Sequence, residues 1–148
     1  MSLEQARRAA RDSRDSRPLL ALVPYAAFLG MQVRFEDAAA ITLQLPFRKS
    51  LVGNSALPAI HGGVVAAFME SAALLHLLLV LEEHRLPKSI DFSIDYLRSA
   101  HAEDSYAACA VERLGRRVAQ VQIRCWQSDP AKPVALARAH FLLAASDE

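Results

Sequence analysis

The spacing of apolar and polar residues changes several times along this chain, and each change marks an element. Residues 1–17 are charged, with Arg7, Arg8, Arg11, Arg14 and Arg17 set among Glu4, Asp12 and Asp15. Arg7, Arg11 and Arg14 fall at i, i+4 and i+7, which predicts a peripheral helix with a solvated face, ended by Pro18. Residues 19–29 (LLALVPYAAFL) are apolar up to Gly30 and predict a short buried segment, helical in part, packed on the main body. The period then becomes two. Met31, Val33 and Phe35 alternate with Gln32, Arg34 and Glu36, and Ile41, Leu43 and Leu45 alternate with Thr42 and Gln44. This predicts two half-buried strands joined by a turn at Glu36–Ala39. Residues 46–60 hold two prolines and a Gly-Asn pair without a clear period, and predict a loop.

From His61 onward the pattern is that of a helix, entered through His61-Gly62-Gly63, ending near Arg85 and closed by Pro87. Ile90, Phe92, Ile94 and Tyr96 then alternate with Asp91, Ser93 and Asp95. Residues 103–113 predict a strand, Gly115 a turn, residues 119–125 another strand, Asp129-Pro130 a turn, and residues 133–144 a last strand. Strands on both sides of one segregated helix imply an α+β fold with an antiparallel sheet. The helix is apolar nearly all round, so it must be enclosed, and an antiparallel sheet wrapped around one central helix encloses it.

Composition narrows the class. The chain has 148 residues, 53% of them hydrophobic and 22% charged, with a formal net charge of +1. That length fits one domain over residues 1–148, the composition excludes intrinsic disorder, and the near-neutral charge argues against a nucleic-acid binder. Cys109 and Cys125 form no disulfide framework and read as reduced core thiols. Neither has a second Cys or His two to four residues away, so no metal site is expected. No secretory signal is visible. The most apolar stretch, Val64 to Leu81, is interrupted by Glu70, Ser71 and His76, so it is expected to be a core helix of a cytoplasmic protein rather than a membrane span.

Three features in and beside the helix carry candidate chemistry. His61-Gly62-Gly63 could be simple punctuation. Alternatively, Gly62 and Gly63 let a substrate approach the backbone where the first helical amides lack intrahelical partners, a site for a carbonyl oxygen that becomes negative in acyl transfer. Glu70 has Ala66, Ala67, Ala73 and Leu74 as its i±3 and i±4 neighbours. A carboxylate there is either a structural acid at the mouth of the core or a general base. Asn54, with Ser55 beside it, is either turn chemistry or a residue that binds the reacting carbonyl or the attacking water. His61 and Glu70 lie nine residues apart. That is roughly 13.5 Å along a helix and about half a turn around it. One helix therefore does not aim both at one carbonyl, and a site using both needs at least a dimer with the site at the interface. There is no G-x-S-x-G, P-loop, G-x-G-x-x-G or H-E-x-x-H motif, which leaves attack by water under a carboxylate, or by Glu70 itself.

The run Asn54…Ile60-His61-Gly62-Gly63-Val64-Val65…Glu70 resembles the signature of hotdog-fold thioesterases of the phenylacetate-pathway (PaaI-like) type. The run from Ile90 to Ala100 (IDFSIDYLRSA) resembles the strand that follows their central helix, with Ser99 in place of the usual proline, and Gly115-Arg116-Arg117-Val118-Ala119 resembles the next hairpin. The resemblance covers residues 24–144. It implies a hotdog fold, a homodimer whose sheets join, often a dimer of dimers, and hydrolysis of acyl-coenzyme A thioesters. By this resemblance Glu70 is the family's acidic residue, which acts as base or nucleophile from the partner subunit. The Gly63 region provides the backbone donor to the thioester carbonyl, and His61 helps to hold that end of the site. Many relatives carry the loop Asn six residues before the His, where this chain has Ser55 and not Asn54. Arg98, Arg116 and Arg117 are cationic candidates for the coenzyme A phosphates. No metal or prosthetic group is implied, and coenzyme A enters as part of the substrate. The rival readings are a non-catalytic acyl-CoA or aromatic-ligand binder, a hotdog dehydratase or hydratase, and an assembly domain.

Overall fold

A computed structural model describes residues 1–36, 41–82 and 84–143. Helix α1 (Leu3–Ser13) starts at a capping box, in which the Ser2 hydroxyl accepts the Gln5 amide and the Gln5 side chain accepts the Ser2 amide. It ends at Arg14, whose left-handed φ of 52° turns the chain. Pro18 therefore does not end this helix. It sits in the first turn of α2 (Arg17–Ala21), where a missing N–H is harmless. Helix α3 (Pro24–Leu29) follows, stopped by Gly30 at φ 77°. Together α2 and α3 make up the expected apolar, partly helical segment, and Leu19, Ala26 and Leu29 are buried.

The charged face of α1 is not simply solvated. Arg7 is buried, and its Nε donates to the Leu78 carbonyl at 2.6 Å. Arg11 Nε donates to the Leu79 carbonyl at 3.0 Å, and Arg11 pairs with Glu82 at 3.2 Å. Both carbonyls belong to the last turn of the central helix α4 (Gly62–Val80). These are groups that a helix leaves without internal partners, and cations there also meet the negative end of its dipole. The helix stops at this clamp instead of running on to Arg85, with Leu81 as its cap.

Strands β1 (Gln32–Phe35) and β2 (Ile41–Leu45) pair antiparallel with Phe35 opposite Ile41. Most of the turn expected between them lies outside the described residues. The segment expected to be a loop contains a 3-10 turn (Lys49–Leu51) and a small hairpin, β3 (Val52–Asn54) with β4 (Ala59–Ile60), too short to leave a period in the sequence. After α4 come β5 (Lys88–Tyr96), β6 (Ser105–Leu114), β7 (Val118–Trp126) and β8 (Ala135–Leu142). Residue 144, the expected end of the last strand, lies outside the described residues.

Among the described residues the main sheet has six strands in the order β1-β2-β6-β7-β8-β5, every pair antiparallel. One face is lined by Leu43, Val121, Ile123, Ala137, Ala139 and Phe141, and α4 buries Phe68, Met69, Ala72 and Leu75 in the same core. Alanines on β6, β7 and β8 leave room for the helix to come close. Irregular register at Ser89–Asp91 and Val111–Arg113 adds local bend to the sheet. This is the hotdog arrangement. By length and composition α4 could cross a membrane, yet it is the core helix of this sheet.

Candidate active site

The entry to α4 is pinned from two directions. The Ile60 amide donates to the Ala100 carbonyl at 2.8 Å, and the His61 amide to the Leu51 carbonyl at 2.9 Å. Gly53 on β3 packs so tightly that a Cβ there would lie 2.7 Å from His61 Cα and Cβ. Held this way, His61 is the N-cap of α4, and its Nδ1 accepts the Gly63 amide at 2.9 Å. A neutral ring that accepts at Nδ1 carries its proton on Nε2. The backbone donor expected to face a substrate is thus held by His61. Gly63 must be glycine for this contact, since a Cβ would stand 2.9 Å from the imidazole.

Glu70 lies on the same side of α4 as Gly63. Gly63 and Glu70 are seven residues apart. At about 100° and 1.5 Å per residue they share a face but stand roughly 10.5 Å apart along the axis. Ala66, Ala67 and Leu74 share that face and are only half-buried, as is Glu70, whereas Phe68, Ala72 and Leu75 on the sheet side are fully buried. Among the described residues the Glu70 carboxylate has no hydrogen bond or ion pair. The face carrying Glu70 is thus small, partly open and anionic.

The other sequence candidates fall into two groups. Arg98 belongs to the corner. It donates to the Pro133 carbonyl at 2.7 Å and, with Gly62, Tyr96, Ser99 and Val134, lines a cavity of about 210 Å³ against the helix start. Arg116 and Arg117 do not. They sit in the β6–β7 hairpin, where Val118 pairs with Leu142 and Leu142 with Lys88, while the helix start lies at the Tyr96 end of β5. Within one chain those ends are roughly 26 Å apart. Asn54 and Ser55 occupy the exposed β3–β4 turn, and the Asn54 side-chain oxygen accepts the Ala56 amide at 3.1 Å, turn chemistry of the Asx kind.

Sequence reasoning missed Tyr96. Its hydroxyl donates to the Gly62 carbonyl at 2.7 Å. The available signal was its place at the end of the inward row Phe92, Ile94, Tyr96, where a polar tip replaces an aliphatic side chain. Burial pushes the Cys109 and Cys125 thiols up to about 12, so neither is a nucleophile. Among the described residues, no three His, Cys, Asp or Glu side chains gather as metal ligands.

Known proteins share this fold. The model of the thioesterase superfamily matches residues 57–134, which include His61, Gly62, Gly63, Glu70, Tyr96 and the three arginines but not Asn54 or Ser55. The medium/long-chain acyl-CoA thioesterase YigI of Escherichia coli is 32% identical over 117 residues, covering 68% of this chain and 74% of that protein. A crystal structure of a Chromobacterium violaceum protein is 38% identical, covers 97% of this chain and 99% of its own, and superposes with a TM-score of 0.76. A phenylacetic acid degradation-related protein of Ralstonia eutropha is 24% identical, covers 90% of this chain and 97% of its own, and shares the fold with a TM-score of 0.73. The resemblance carried by His61-Gly62-Gly63, Glu70 and Tyr96-Leu97-Arg98 is borne out by the fold and by a family match over more than half the sequence: the chain belongs to the thioesterase superfamily.

Proposed function

We propose that this protein hydrolyses acyl-CoA thioesters to a free acid and coenzyme A. The observation that carries the reading is Glu70, a half-buried carboxylate without a partner among the described residues, on the face of α4 shared with Gly63. The 32% identity to an acyl-CoA thioesterase supports the substrate class.

The thioester carbonyl sits over the start of α4. Its oxygen accepts the Gly63 amide, taking the place of His61 Nδ1, which keeps that amide aimed outward until substrate arrives. Glu70 of the partner subunit removes a proton from water, and the water oxygen bonds to the carbonyl carbon. The carbonyl electron pair moves onto the oxygen held at the helix start, where the amide and the positive end of the helix stabilise it. As the C=O bond reforms, the C–S bond breaks. Coenzyme A leaves as a thiolate and receives the proton from Glu70. A thiol near pKa ~8.5 leaves without a strong acid, so the reaction needs no metal or prosthetic group.

The partner's acid is invoked because the two-turn separation keeps a chain's own Glu70 from its own Gly63. The free edge of β5 supports such a dimer. Ile90, Tyr96 and Leu97 on or beside it are 54%, 52% and 49% exposed, and a long unpaired edge is a template for a second strand. Antiparallel pairing of β5 with a second copy sets the partner's Lys88 end beside this chain's Tyr96 end, and with it the partner's Arg116-Arg117 hairpin. Those arginines and Arg98 are then placed to meet the coenzyme A phosphates. A cytoplasmic setting suits this substrate.

The test is thiol release from short, medium, long and aromatic acyl-CoAs by wild type and Glu70→Gln, with assembly read by sedimentation. Wild type should turn over part of the panel as a dimer or dimer of dimers, and the variant should lose about 10²–10⁴-fold in kcat while keeping its assembly. A wild type that binds the thioesters but cleaves none would establish a binding protein instead, and hydration of an enoyl-CoA would establish a hydratase.

A further inference from the structure

Gly62 and Gly63 share one peptide group. The Gly62 carbonyl and the Gly63 amide are opposite ends of the same rigid plane, so whatever holds one end aims the other. In this chain the plane is held at both ends. Tyr96 Oη donates to the Gly62 oxygen at 2.7 Å, and the Gly63 amide donates to His61 Nδ1 at 2.9 Å. The Tyr96 ring also lies against Gly62, where a Cβ would meet Cε1, Cζ and Oη at 3.5 Å.

A peptide between two glycines is the least constrained kind, because neither residue has a Cβ to limit rotation about it. When a substrate oxygen replaces His61, only the Tyr96 bond remains to hold the plane from outside the helix backbone. A donor to the carbonyl end also polarises the amide and strengthens its N–H as a donor. Resting on the hydrolase reading above, we propose that Tyr96 is a positioning residue for thioester cleavage. Its hydroxyl fixes the orientation of the Gly62–Gly63 peptide and so the aim and strength of the Gly63 amide toward the carbonyl oxygen. Tyr96 itself touches no reacting atom. Because it ends the free-edge strand β5, it also ties the donor to the strand at which a second copy would pair.

Tyr96→Phe removes one oxygen from a half-exposed residue and keeps the ring, so fold and assembly should persist. On an acyl-CoA that wild type cleaves, kcat should fall about tenfold with KM within about twofold, because the amide matters most as charge develops on the oxygen. Hydrogen exchange at the Gly63 amide should rise about tenfold, a direct readout of a loosened peptide. Tyr96→Leu, which removes the ring as well, should lose at least as much. A Tyr96→Phe enzyme with kcat within twofold of wild type overturns the proposal. So does a kcat loss that only follows a lower melting temperature or a weaker dimer. Inactivity of the wild type on every thioester would refute the hydrolase reading itself, an outcome distinct from active wild type with an equally active variant.

Discussion

Replacing Arg7 by Leu tests whether the N-terminal helix holds the end of the central one. Arg7 is buried, with only 6% of its surface exposed, and its Nε lies 2.6 Å from the carbonyl of the fully buried Leu78. Leucine fills part of the space of the aliphatic stem, so little packing is lost. What is lost is a charged donor on a carbonyl that water does not easily reach. A hydrogen bond to a charged group contributes about 1.5–3 kcal/mol, and the cation at the helix C-terminus about 0.5 more. The expected cost is therefore about 2–3.5 kcal/mol, or a melting temperature about 6–11 °C lower for a chain of this size. Arg11→Leu should cost less, about 1 kcal/mol, because its side chain is 39% exposed and its partner Glu82 is 84% exposed. Urea unfolding at pH 7, followed by circular dichroism with a common m-value, gives both numbers. A loss under about 0.5 kcal/mol for Arg7→Leu, or a larger loss for Arg11→Leu, would refute the clamp.

The two glycines around His61 should differ in a fixed order. Gly53→Ala sets a Cβ 2.7 Å from the His61 backbone and should cost about 1–3 kcal/mol. Gly63→Ala meets only the movable imidazole at 2.9 Å, so stability should change by less than about 1 kcal/mol while thioester turnover drops. Equal stability losses in urea would contradict the packing argument. His76 on α4 has a buried Nδ1 with no hydrogen-bond partner among the described residues, and burial lowers its pKa below the ordinary imidazole value. The fold then favours the neutral ring and the unfolded chain binds more protons. Stability should be full above the unfolded value near ~6.5 and fall as pH drops through it, by at most about 1.4 kcal/mol per unit. His76→Leu should flatten that fall between pH 7.5 and 5.5, and an unchanged slope would place its cause elsewhere.

Most of the fold is legible in the sequence because its signals are local. Period-two runs mark β1, β2, β5 and β7, with the inward face correct in β1, β2 and β7 and only at Phe92 and Ile94 in β5, where Ile90 and Tyr96 are exposed, and a helix apolar on every side demands a sheet around it. The candidate site stands out in the sequence for the same reason. His61-Gly62-Gly63 opens a helix, and Glu70 is the acid that its apolar neighbours do not explain. Some misreadings are local, and the others concern partners distant in the chain. Pro18 looks the same whether it ends one helix or opens the next, and the choice falls to Arg14, which turns left-handed. Arg7 and Arg11 look like a solvated stripe because backbone carbonyls do not show in a sequence, yet Leu78 and Leu79 take them and stop α4 short of Arg85. Arg98 and Arg116 look equivalent as cations, and only the strand register sends one to the helix start and the other to the far end of the sheet. Tyr96 is the same case at the site itself. Its role depends on a carbonyl 34 residues earlier, which β5 reaches only because it runs alongside α4 in the opposite direction. In this family member the residues proposed for the chemistry are readable from local pattern. The contact that Tyr96 makes with Gly62 becomes visible only when the sheet is assembled, so on the proposal above a substitution outside the signature, such as Tyr96→Phe, changes turnover while the signature stays intact.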